Sequence, residues 1–510
     1  MKPTIFSTLL CLGISAGLST AKVDGAQSIG RRAGPNILID PAAMPDLPTM
    51  GAAKAAASAV GLNLSDIQGD ILIGMRKNKE LFYFFSIANA TDFKAKLRTD
   101  ILPLVTSTTQ LLSTAVQPTT ALNIAFSQTG LTTLGITEDL GDPLFAQGQF
   151  QNAALLGDSN PATNWESQFA GTSIHGVILL ASDTVDNVNA SLASIQSALG
   201  SSITEVYSLQ GAARPGAEQG HEHFGYLDGI SNPAVQGFQT PLPGQAVVAT
   251  GEILLNETGD SVTTRPAWAK DGSFLAFRQL QQLVPEFNKF LTDNPIRAPA
   301  LTRQQGSDLL GARMIGRWKS GAPVFLSPLV DNPALGADPT RNNNFTYAAP
   351  GQNVSDPTDQ EKCPFSAHIR KTRPRADLGL PESQSSNHHI VRGGIPYGPE
   401  VTTAEASSNT TQIDRGLAFV GYQSNIGKGF QFLQKTWANN PKFVHPDTGI
   451  DPIIGALAGA PRNVSGLDLT NALSTTTLTM GEMRTDFVVS RGGEYFFSPS
   501  LSAIANTLSV

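Results

Sequence analysis

The spacing of apolar residues in the first half of the chain predicts alternating strands and helices. Strands are indicated by three apolar or aromatic stretches, which read ELFYFFSI, GVILLASD and ITEVYSLQGAARP. Helices are indicated where apolar residues recur every three to four positions, in ATDFKAKLRTDILPLV and in TVDNVNASLASIQSALG, which ends at Gly200. ALNIAFSQTGLTTLGI has the pattern of a strand followed by a short helix. This order predicts an α+β domain of the split βαβ type.

The second half shows a similar but weaker pattern. Strand-like and helical stretches follow one another in SFLAFRQLQQLVPEFNKFL, DLLGARMIGRW, GLAFVGYQ and GFQFLQKTWANN. A long polar segment at 334–364 is rich in Asn, Asp and Pro and predicts a loop. No short repeat occurs, which excludes solenoids and propellers. We therefore expect two similar α+β halves.

The amino-terminal segment has the features of a secretory signal. Residues 1–21 combine Lys2, a short apolar stretch and small residues for cleavage, and the apolar stretch is too short to span a bilayer. Residues 22–60 contain Arg31-Arg32 and Pro-rich text, and predict a propeptide with a dibasic processing site. A disordered amino-terminal arm is the alternative. We expect a secreted, extracellular protein.

Composition and charge exclude two classes of partner, nucleic acids and membranes. The chain has 510 residues, of which 15% are charged, and its net charge is −7. Without a basic patch we expect no nucleic-acid partner, and without a later run of about 20 apolar residues we expect no membrane span. Cys11 is lost with the signal, so Cys363 is alone and is interpreted as a small buried hydrophobe. N-glycans can be carried by eight sequons, at Asn63, Asn89, Asn189, Asn256, Asn344, Asn353, Asn409 and Asn463.

The histidines do not form a zinc motif, because neither HExxH nor a CxxC pair is present. His221 and His223 share one face of a strand, but their polar HEH context favours a hydrogen-bonding role at the surface. His368 lies in CPFSAHIRKTRPR, between apolar and basic residues. A satisfied core histidine is one interpretation. The other is a haem ligand, with the basic residues meeting the haem propionates.

Four further residues each have an ordinary structural interpretation. Asp228 precedes a glycine in FGYLDGIS and is typical of an Asp-Gly turn. Arg392 precedes two glycines, where a surface arginine before a turn is expected. Leu417 and Phe419 lie two residues apart on one predicted strand face and are expected to pack in the core. Residue patterns alone do not assign chemistry to any of them.

Taken together, these stretches resemble a known family. FGYLDGIS carries a GxxDG motif at residues 225–229. Seven more blocks accompany it in order, DIQGDIL, NIAFSQTGL, GRWKSGAP, CPFSAHIRKTRPR, VRGGIPYG, GLAFVGYQ and GGEYFFSPS. They are similar to the secreted fungal branch of the dye-decolorizing peroxidases, over about residues 66–500. The resemblance implies two ferredoxin-like domains with antiparallel sheets flanked by helices, at 61–235 with the GxxDG motif and at 236–510 with most of the haem site.

The resemblance also implies roles for individual residues. His368 matches the proximal axial ligand of the haem iron, and Asp228 and Arg392 match the distal pair that handles peroxide. Leu417 and Phe419 match the residues that line the distal pocket and the peroxide channel.

Three more assignments follow from the same resemblance. Trp437 and Tyr397 match positions that form surface radicals in some members, although packing is the alternative for both rings. Asp451 is taken as the acid that orients His368.

The chemistry of these residues is consistent with the implied roles. A carboxylate at Asp228 can take a proton from peroxide and return it to the departing oxygen, and an ordinary Asp pKa near 4 keeps it ionised in acid. Arg392 stays charged and can stabilise the negative charge that develops as the O–O bond breaks. A carboxylate bonded to His368 makes the imidazole a better electron donor.

We therefore expect a secreted enzyme with one haem b per chain, which uses hydrogen peroxide to oxidise aromatic dyes and phenolic or lignin-type compounds in one-electron steps. We expect a monomer or a weak dimer. Two alternatives remain open at this point, a haem-binding protein without catalysis and a glycosylated cell-wall protein without a cofactor. The first would need no distal acid-base group, and the second would leave the ordered blocks unexplained.

Overall fold

The main sheet contains nine strands, which come from both halves of the chain. The computed structural model describes residues 47–115, 117–347, 360–379, 387–446, 448–456, 462–465, 477–480 and 486–510. In chain order the strands are β1 (Lys79–Ile87), β2 (Ala121–Phe126), β3 (Gly176–Ser182), β4 (Ile203–Ala212), β5 (Ala234–Val235), β6 (Val247–Val248), β7 (Ser273–Gln282), β8 (Val391–Arg392), β9 (Ile395–Tyr397), β10 (Gly416–Gln423), β11 (Arg462–Ser465), β12 (Thr477–Met480) and β13 (Val488–Ser498).

The nine-stranded sheet has the order β7-β13-β2-β3-β1-β4-β9-β10-β8, and β7 also pairs with β10, so the sheet closes into a ring. All pairings in this sheet are antiparallel. The two halves join through Phe497 opposite Phe126 and through Gly211 opposite Tyr397. The predicted α+β class with antiparallel strands is confirmed, and the strands of the two predicted halves form one continuous sheet. Two minor sheets are formed by β5 with β6 and by β11 with β12.

Helices surround the sheet and are mostly short. The α-helices span Met50–Val60, Gly69–Ile73, Ala90–Lys96, Thr108–Leu111, Gln128–Thr133, Pro143–Gln147, Gln149–Asn152, Pro161–Asn164, Val185–Leu199, Thr250–Ile253, Val284–Asp293, Arg303–Ile315, Pro333–Gly336, His368–Thr372, Thr403–Ser408, Phe430–Phe432 and Leu501–Ala503. The 3₁₀ helices span Leu102–Leu104, Ser167–Phe169, Gly200–Ser202, Gly216–Glu218, Ala267–Ala269 and Arg375–Leu378, and the π-helical turns span Leu97–Ile101, Leu433–Ala438 and Ile504–Leu508. Within the described ranges, no helix combines the length and the apolar character that crossing a bilayer requires.

The strands bury both faces, which explains why ELFYFFSI is apolar at nearly every position. Phe82 and Phe84 of β1 point into the ring, where both contact Phe277 of β7 with ring centroids 5.1 and 4.9 Å apart. Tyr83 and Phe85 point outward and pack under the helices, in a second hydrophobic cluster. The helix predicted for TVDNVNASLASIQSALG is confirmed as Val185–Leu199, with Thr184 as its amino-terminal cap.

The amino-terminal predictions lie largely outside the described residues. The predicted signal peptide, residues 1–21, lies there entirely, as do residues 22–46 of the predicted propeptide. The last part of the predicted propeptide is the helix Met50–Val60, which buries Ala53 and Ala57 and ends at Gly61 with a left-handed φ of 77°. Cys363 is buried and is not in a disulfide, as its isolation predicted.

Candidate active site

A cavity of about 280 Å³ lies against the outer face of the sheet where β7, β10 and β13 are neighbours. The register between β10 and β7 forms one wall of the cavity, because Leu417 lies opposite Leu280 and Phe419 lies opposite Arg278. Alternate residues of a strand share one face, so the pair Leu417 and Phe419 points into the cavity as one apolar wall. Asp228, His368 and Arg392 line the same cavity. The structure therefore brings together residues that are far apart in the sequence.

His368 begins the short helix His368–Thr372 and turns its ring toward Asp451. The distance from His368 Nδ1 to Asp451 Oδ2 is 2.8 Å. Asp451 is completely buried, and its other oxygen accepts hydrogen bonds from the N–H groups of Ile453 and Ile454 at 2.8 and 3.0 Å. Burial would lower the pKa of His368, but the charge and hydrogen bond of Asp451 outweigh it and raise the pKa above its usual value. The carboxylate thus holds the proton on Nδ1.

The other ring nitrogen of His368 is left available to a metal. Nε2 accepts or donates no hydrogen bond among the residues that the structure describes, and the side chain is 28% exposed toward the cavity. Three arginine residues, Arg317, Arg373 and Arg375, line the cavity as well. Burial lowers the pKa of Arg317 to about 10, which leaves it charged near neutrality. An apolar wall, a free imidazole nitrogen and a cationic region fit the iron, the flat ring and the two carboxylates of a haem.

Asp228 is held by the loop geometry that the GxxDG motif creates. Gly225 and Gly229 have φ angles of 92° and 86°, a left-handed conformation that glycine adopts without strain. The N–H of Gly229 donates to Asp228 Oδ1 at 2.6 Å, and the N–H of Asp228 donates to the carbonyl of Gly220 at 3.1 Å. Asp228 is therefore part of a turn, as its Asp-Gly dipeptide predicts, and its carboxylate also lines the cavity.

Asp228 and Arg392 form an ion pair. Arg392 Nη1 donates to Asp228 Oδ1 at 2.7 Å, and 40% of the Asp228 side chain remains exposed because it faces the cavity. Burial would raise the pKa of Asp228, but the positive charge and hydrogen bond of Arg392, with the Gly229 N–H, outweigh it and lower the pKa below its usual value. The pair thus places an ionised base and a fixed cation side by side.

The rings of Trp437 and Tyr397 are buried, which agrees with the packing alternative, and their role as radical sites stays a prediction. Trp437 is 4% exposed, because its π-helical turn packs it in a stack with Phe443 at 5.0 Å and 9°. Its ring also contacts His388, a cavity-lining residue, with centroids 5.3 Å apart. Tyr397 is 3% exposed and donates through its hydroxyl to Asp414 at 3.0 Å. Trp437 is thus linked to the cavity wall through one ring, whereas Tyr397 is not among the cavity-lining residues.

Sequence reasoning missed one acidic residue at the site and misjudged a neighbouring histidine. Glu222 lies between the two histidines of HEH, lines the cavity and accepts hydrogen bonds from the N–H groups of Phe224 and Tyr226, both at 2.8 Å. His223 is buried and bonds the carbonyl of Tyr397 at 2.8 Å, so the expected surface role is wrong for this histidine. The available signal in the sequence was an acidic residue between two histidines. That signal does not reveal which main-chain groups Glu222 and His223 bind.

Two family models match the chain. The model described as DyP dimeric alpha+beta barrel domain matches residues 66–215, and the model described as Dyp-type peroxidase, C-terminal, matches residues 221–445. The second range contains Asp228, His368 and Arg392 and ends before Asp451.

Curated relatives and solved structures agree with these matches. Peroxidase 2 from Mycetinis scorodonius is 63% identical over 491 residues, which are 93% of each chain. Dye-decolorizing peroxidase AauDyP1 from Auricularia auricula-judae is 53% identical over 507 residues, covering 98% of this chain and 96% of that one. A crystal structure of a decolorizing peroxidase from Auricularia auricula-judae has a TM-score of 0.83 at 56% identity, and the match covers 88% of this chain and 100% of that chain.

Proposed function

Because this chain belongs to the dye-decolorizing peroxidase family, a family of haem-dependent enzymes that act on dyes, we propose that it uses hydrogen peroxide to oxidise dyes and phenolic or lignin-type compounds in one-electron steps. The observation that carries the proposal is the Asp228–Arg392 ion pair, which lines the same cavity as a histidine with a free ring nitrogen. A haem carrier has no need for a paired base and cation beside its cofactor.

The cofactor is proposed to be one haem b per chain. His368 would bind its iron through Nε2, and Arg317, Arg373 and Arg375 would meet its carboxylates. When bound, the haem supplies the redox chemistry that exchanges electrons with peroxide and with the oxidised substrate.

Asp228 is the proposed proton acceptor and donor for peroxide. Its lowered pKa keeps the carboxylate ionised in mildly acidic solution, where a histidine base would be protonated. The carboxylate can remove the proton from one oxygen of peroxide and then give it to the other oxygen as that oxygen leaves. One group thereby performs both transfers.

Arg392 has two proposed roles in the same step. Its charge keeps Asp228 ionised before the reaction, and its guanidinium stabilises the negative charge that develops on the departing oxygen. Asp451 acts through His368, whose ring it orients and whose proton it fixes on Nδ1, so that Nε2 carries a lone pair.

Bulky substrates are proposed to react away from the cavity. Leu417 and Phe419 line the cavity. Their apolar side chains are proposed to admit small molecules such as peroxide and to exclude larger ones. Trp437 is the proposed relay for larger dyes, supported by its contact with the cavity-lining His388 and by its stacking on the half-buried Phe443. Tyr397 stays a weaker candidate, since it is not among the cavity-lining residues.

We further propose secretion after removal of residues 1–21, N-glycosylation and a monomeric or weakly dimeric state. Among the sequon asparagines whose side chains the structure describes, five are exposed, namely Asn63, Asn89, Asn189, Asn344 and Asn409. Asn256 is a poorer acceptor, because its side-chain amide donates to the carbonyl of Pro266 at 2.8 Å.

The proposed function is tested by visible absorption of the haem-loaded protein. We expect a Soret band that changes within the mixing time of a stopped-flow experiment when peroxide is added, followed by bleaching of an anthraquinone dye. Asp228→Asn should keep the Soret band and react with peroxide roughly 10²- to 10⁴-fold more slowly, the usual contribution of a positioned acid-base group. Asp414→Asn, outside the cavity, is the matched control. A Soret band that peroxide leaves unchanged in the unmodified protein would favour a haem carrier, and the absence of any Soret band would favour the wall protein.

A further inference from the structure

The loop that carries Asp228 and the strand that carries Arg392 meet at a second point besides their ion pair. Asn232 lies four residues after Asp228, and its side chain reaches the main chain of Arg392. The N–H of Arg392 donates to Asn232 Oδ1 at 3.2 Å, and Asn232 Nδ2 donates to the carbonyl of Arg392 at 3.0 Å. Because an N–H must meet an oxygen and a carbonyl must meet an N–H, only one orientation of the amide satisfies both bonds. One side chain therefore takes both main-chain polar groups of Arg392.

The position of Arg392 in the sheet explains why it needs this partner. Strand β8 is two residues long and lies at the end of the strand order. Arg392 lies opposite Gly421 of β10. The neighbouring hydrogen bond to β10 is made by Gly393, whose N–H donates to the carbonyl of Val420 at 3.1 Å. In an antiparallel pair, alternate residues direct their N–H and C=O away from the neighbouring strand. Arg392 is such a residue. Its N–H and C=O point away from β10, and the side chain of Asn232 binds them as a further strand would.

Asn232 is itself held in place. The main-chain carbonyl of Asn232 accepts a hydrogen bond from Gln245 Nε2 at 2.9 Å. The side-chain oxygen of the same Gln245 accepts from the N–H of Leu242 at 2.9 Å. Two residues further on, the N–H of Ala234 donates to the carbonyl of Ala246 at 2.7 Å, where β5 and β6 pair. Asn232 is thus a fixed point, and it ties the main chain of Arg392 to the loop of Asp228.

We propose that Asn232 is a positioning residue for the distal pair, which sets the distance between Asp228 and Arg392 by clamping the Arg392 main chain. The inference rests on the proposed function, in which these two side chains act on peroxide. Without the clamp, the short strand β8 keeps one edge bonded to β10, and the outer edge is free to move relative to residues 228–232. A shift of about 1 Å between paired catalytic groups is enough to reduce a rate strongly.

The test compares Asn232→Ala with a matched control, Asn123→Ala. Asn123 also binds main-chain groups with its amide, since it accepts from the N–H of Asp70 at 2.8 Å and donates to the carbonyls of Thr106 and Leu122 at 2.9 and 2.6 Å, and it does not line the cavity. We expect the haem-loaded Asn232→Ala to react with peroxide roughly 10- to 100-fold more slowly, with haem binding retained. Asn123→Ala should lose thermal stability and keep its normal rate with peroxide.

Two readouts separate positioning from a general structural effect. A crystal structure of Asn232→Ala, with or without haem, should show the Asp228 Oδ1 to Arg392 Nη1 distance lengthened from 2.7 Å to beyond hydrogen-bonding range. The acid limb of the peroxide rate should also move to higher pH, because Asp228 then loses the cation that lowers its pKa.

A normal peroxide rate in Asn232→Ala would overturn the inference, and so would a slower rate with the 2.7 Å ion pair intact. Asp228→Asn distinguishes this failure from failure of the proposed function. If Asp228→Asn is slow and Asn232→Ala is normal, only the role of Asn232 is wrong. If Asp228→Asn reacts normally, the distal base itself is wrong.

Discussion

Replacement of Asp451 by asparagine tests how the protein controls the tautomer of His368. Asp451 is completely buried and accepts three hydrogen bonds, from His368 Nδ1 and from the N–H groups of Ile453 and Ile454. An asparagine has a single acceptor oxygen, and the two main-chain N–H groups would hold that oxygen on their side. The amide NH₂ would then face His368, which can accept from it only if Nδ1 loses its proton.

The proton displaced from Nδ1 would move to Nε2, the nitrogen that is proposed to bind iron. A protonated Nε2 offers no lone pair to a metal. Loss of a partner of this kind usually weakens metal binding about 10- to 100-fold, which corresponds to roughly 1.4 to 2.8 kcal/mol. We therefore expect the dissociation constant for haem to rise by this factor in Asp451→Asn. The measurement is a titration of the haem-free protein with haem, followed by the growth of the Soret band.

The matched control is Asp414→Asn, which removes a carboxylate bonded to the hydroxyl of Tyr397 and lies outside the cavity. It should bind haem with wild-type affinity. Melting temperatures of both variants identify any loss of folding. If a folded Asp451→Asn binds haem as tightly as the wild type, the reasoning about the His368 tautomer is refuted.

Three other changes give further expected outcomes. Arg392→Leu removes the cation that lowers the pKa of Asp228, so the acid limb of kcat/KM for peroxide should move to higher pH, and an unmoved limb in a pH series would contradict the ion-pair assignment. Trp437→Phe should slow bulky anthraquinone dyes and spare small phenols, unlike Trp268→Phe, whose ring packs on Phe497 and does not line the cavity, and equal losses on both substrate classes in steady-state assays would exclude a relay. Asp260→Asn breaks an ion pair with Arg265 whose side chains are 3% and 0% exposed, and it should lower the free energy of unfolding by about 3 to 5 kcal/mol in urea. Asp92→Asn breaks the more exposed ion pair with Lys96 and should lower the free energy of unfolding by less than about 1 kcal/mol. Similar losses in both variants would refute the dependence on burial.

The sequence by itself determined many of the strands and helices, and its resemblance to a known family indicated which residues are expected to carry the chemistry. Stretches such as ELFYFFSI and GVILLASD are apolar at nearly every position, and such strands are stable only when both faces are covered. The glycines of GxxDG were informative because Gly225 and Gly229 adopt left-handed φ angles that other residues avoid. Local patterns of this kind depend on a few neighbouring residues, so they can be interpreted without a fold.

Only the tertiary structure decided which residues meet. Asp451 is 83 positions from His368, Arg392 is 164 from Asp228, and Asn232 is 160 from the residue whose main chain it binds. These contacts arise because β7 pairs with both β13 and β10 and closes the sheet, which brings loops from both halves to one cavity. The burial of Trp437 was likewise decided by packing, since a tryptophan in a helical stretch has the same local pattern whether its ring faces water or the core. Strand pairing and side-chain packing act between distant residues, and no spacing along the chain records them.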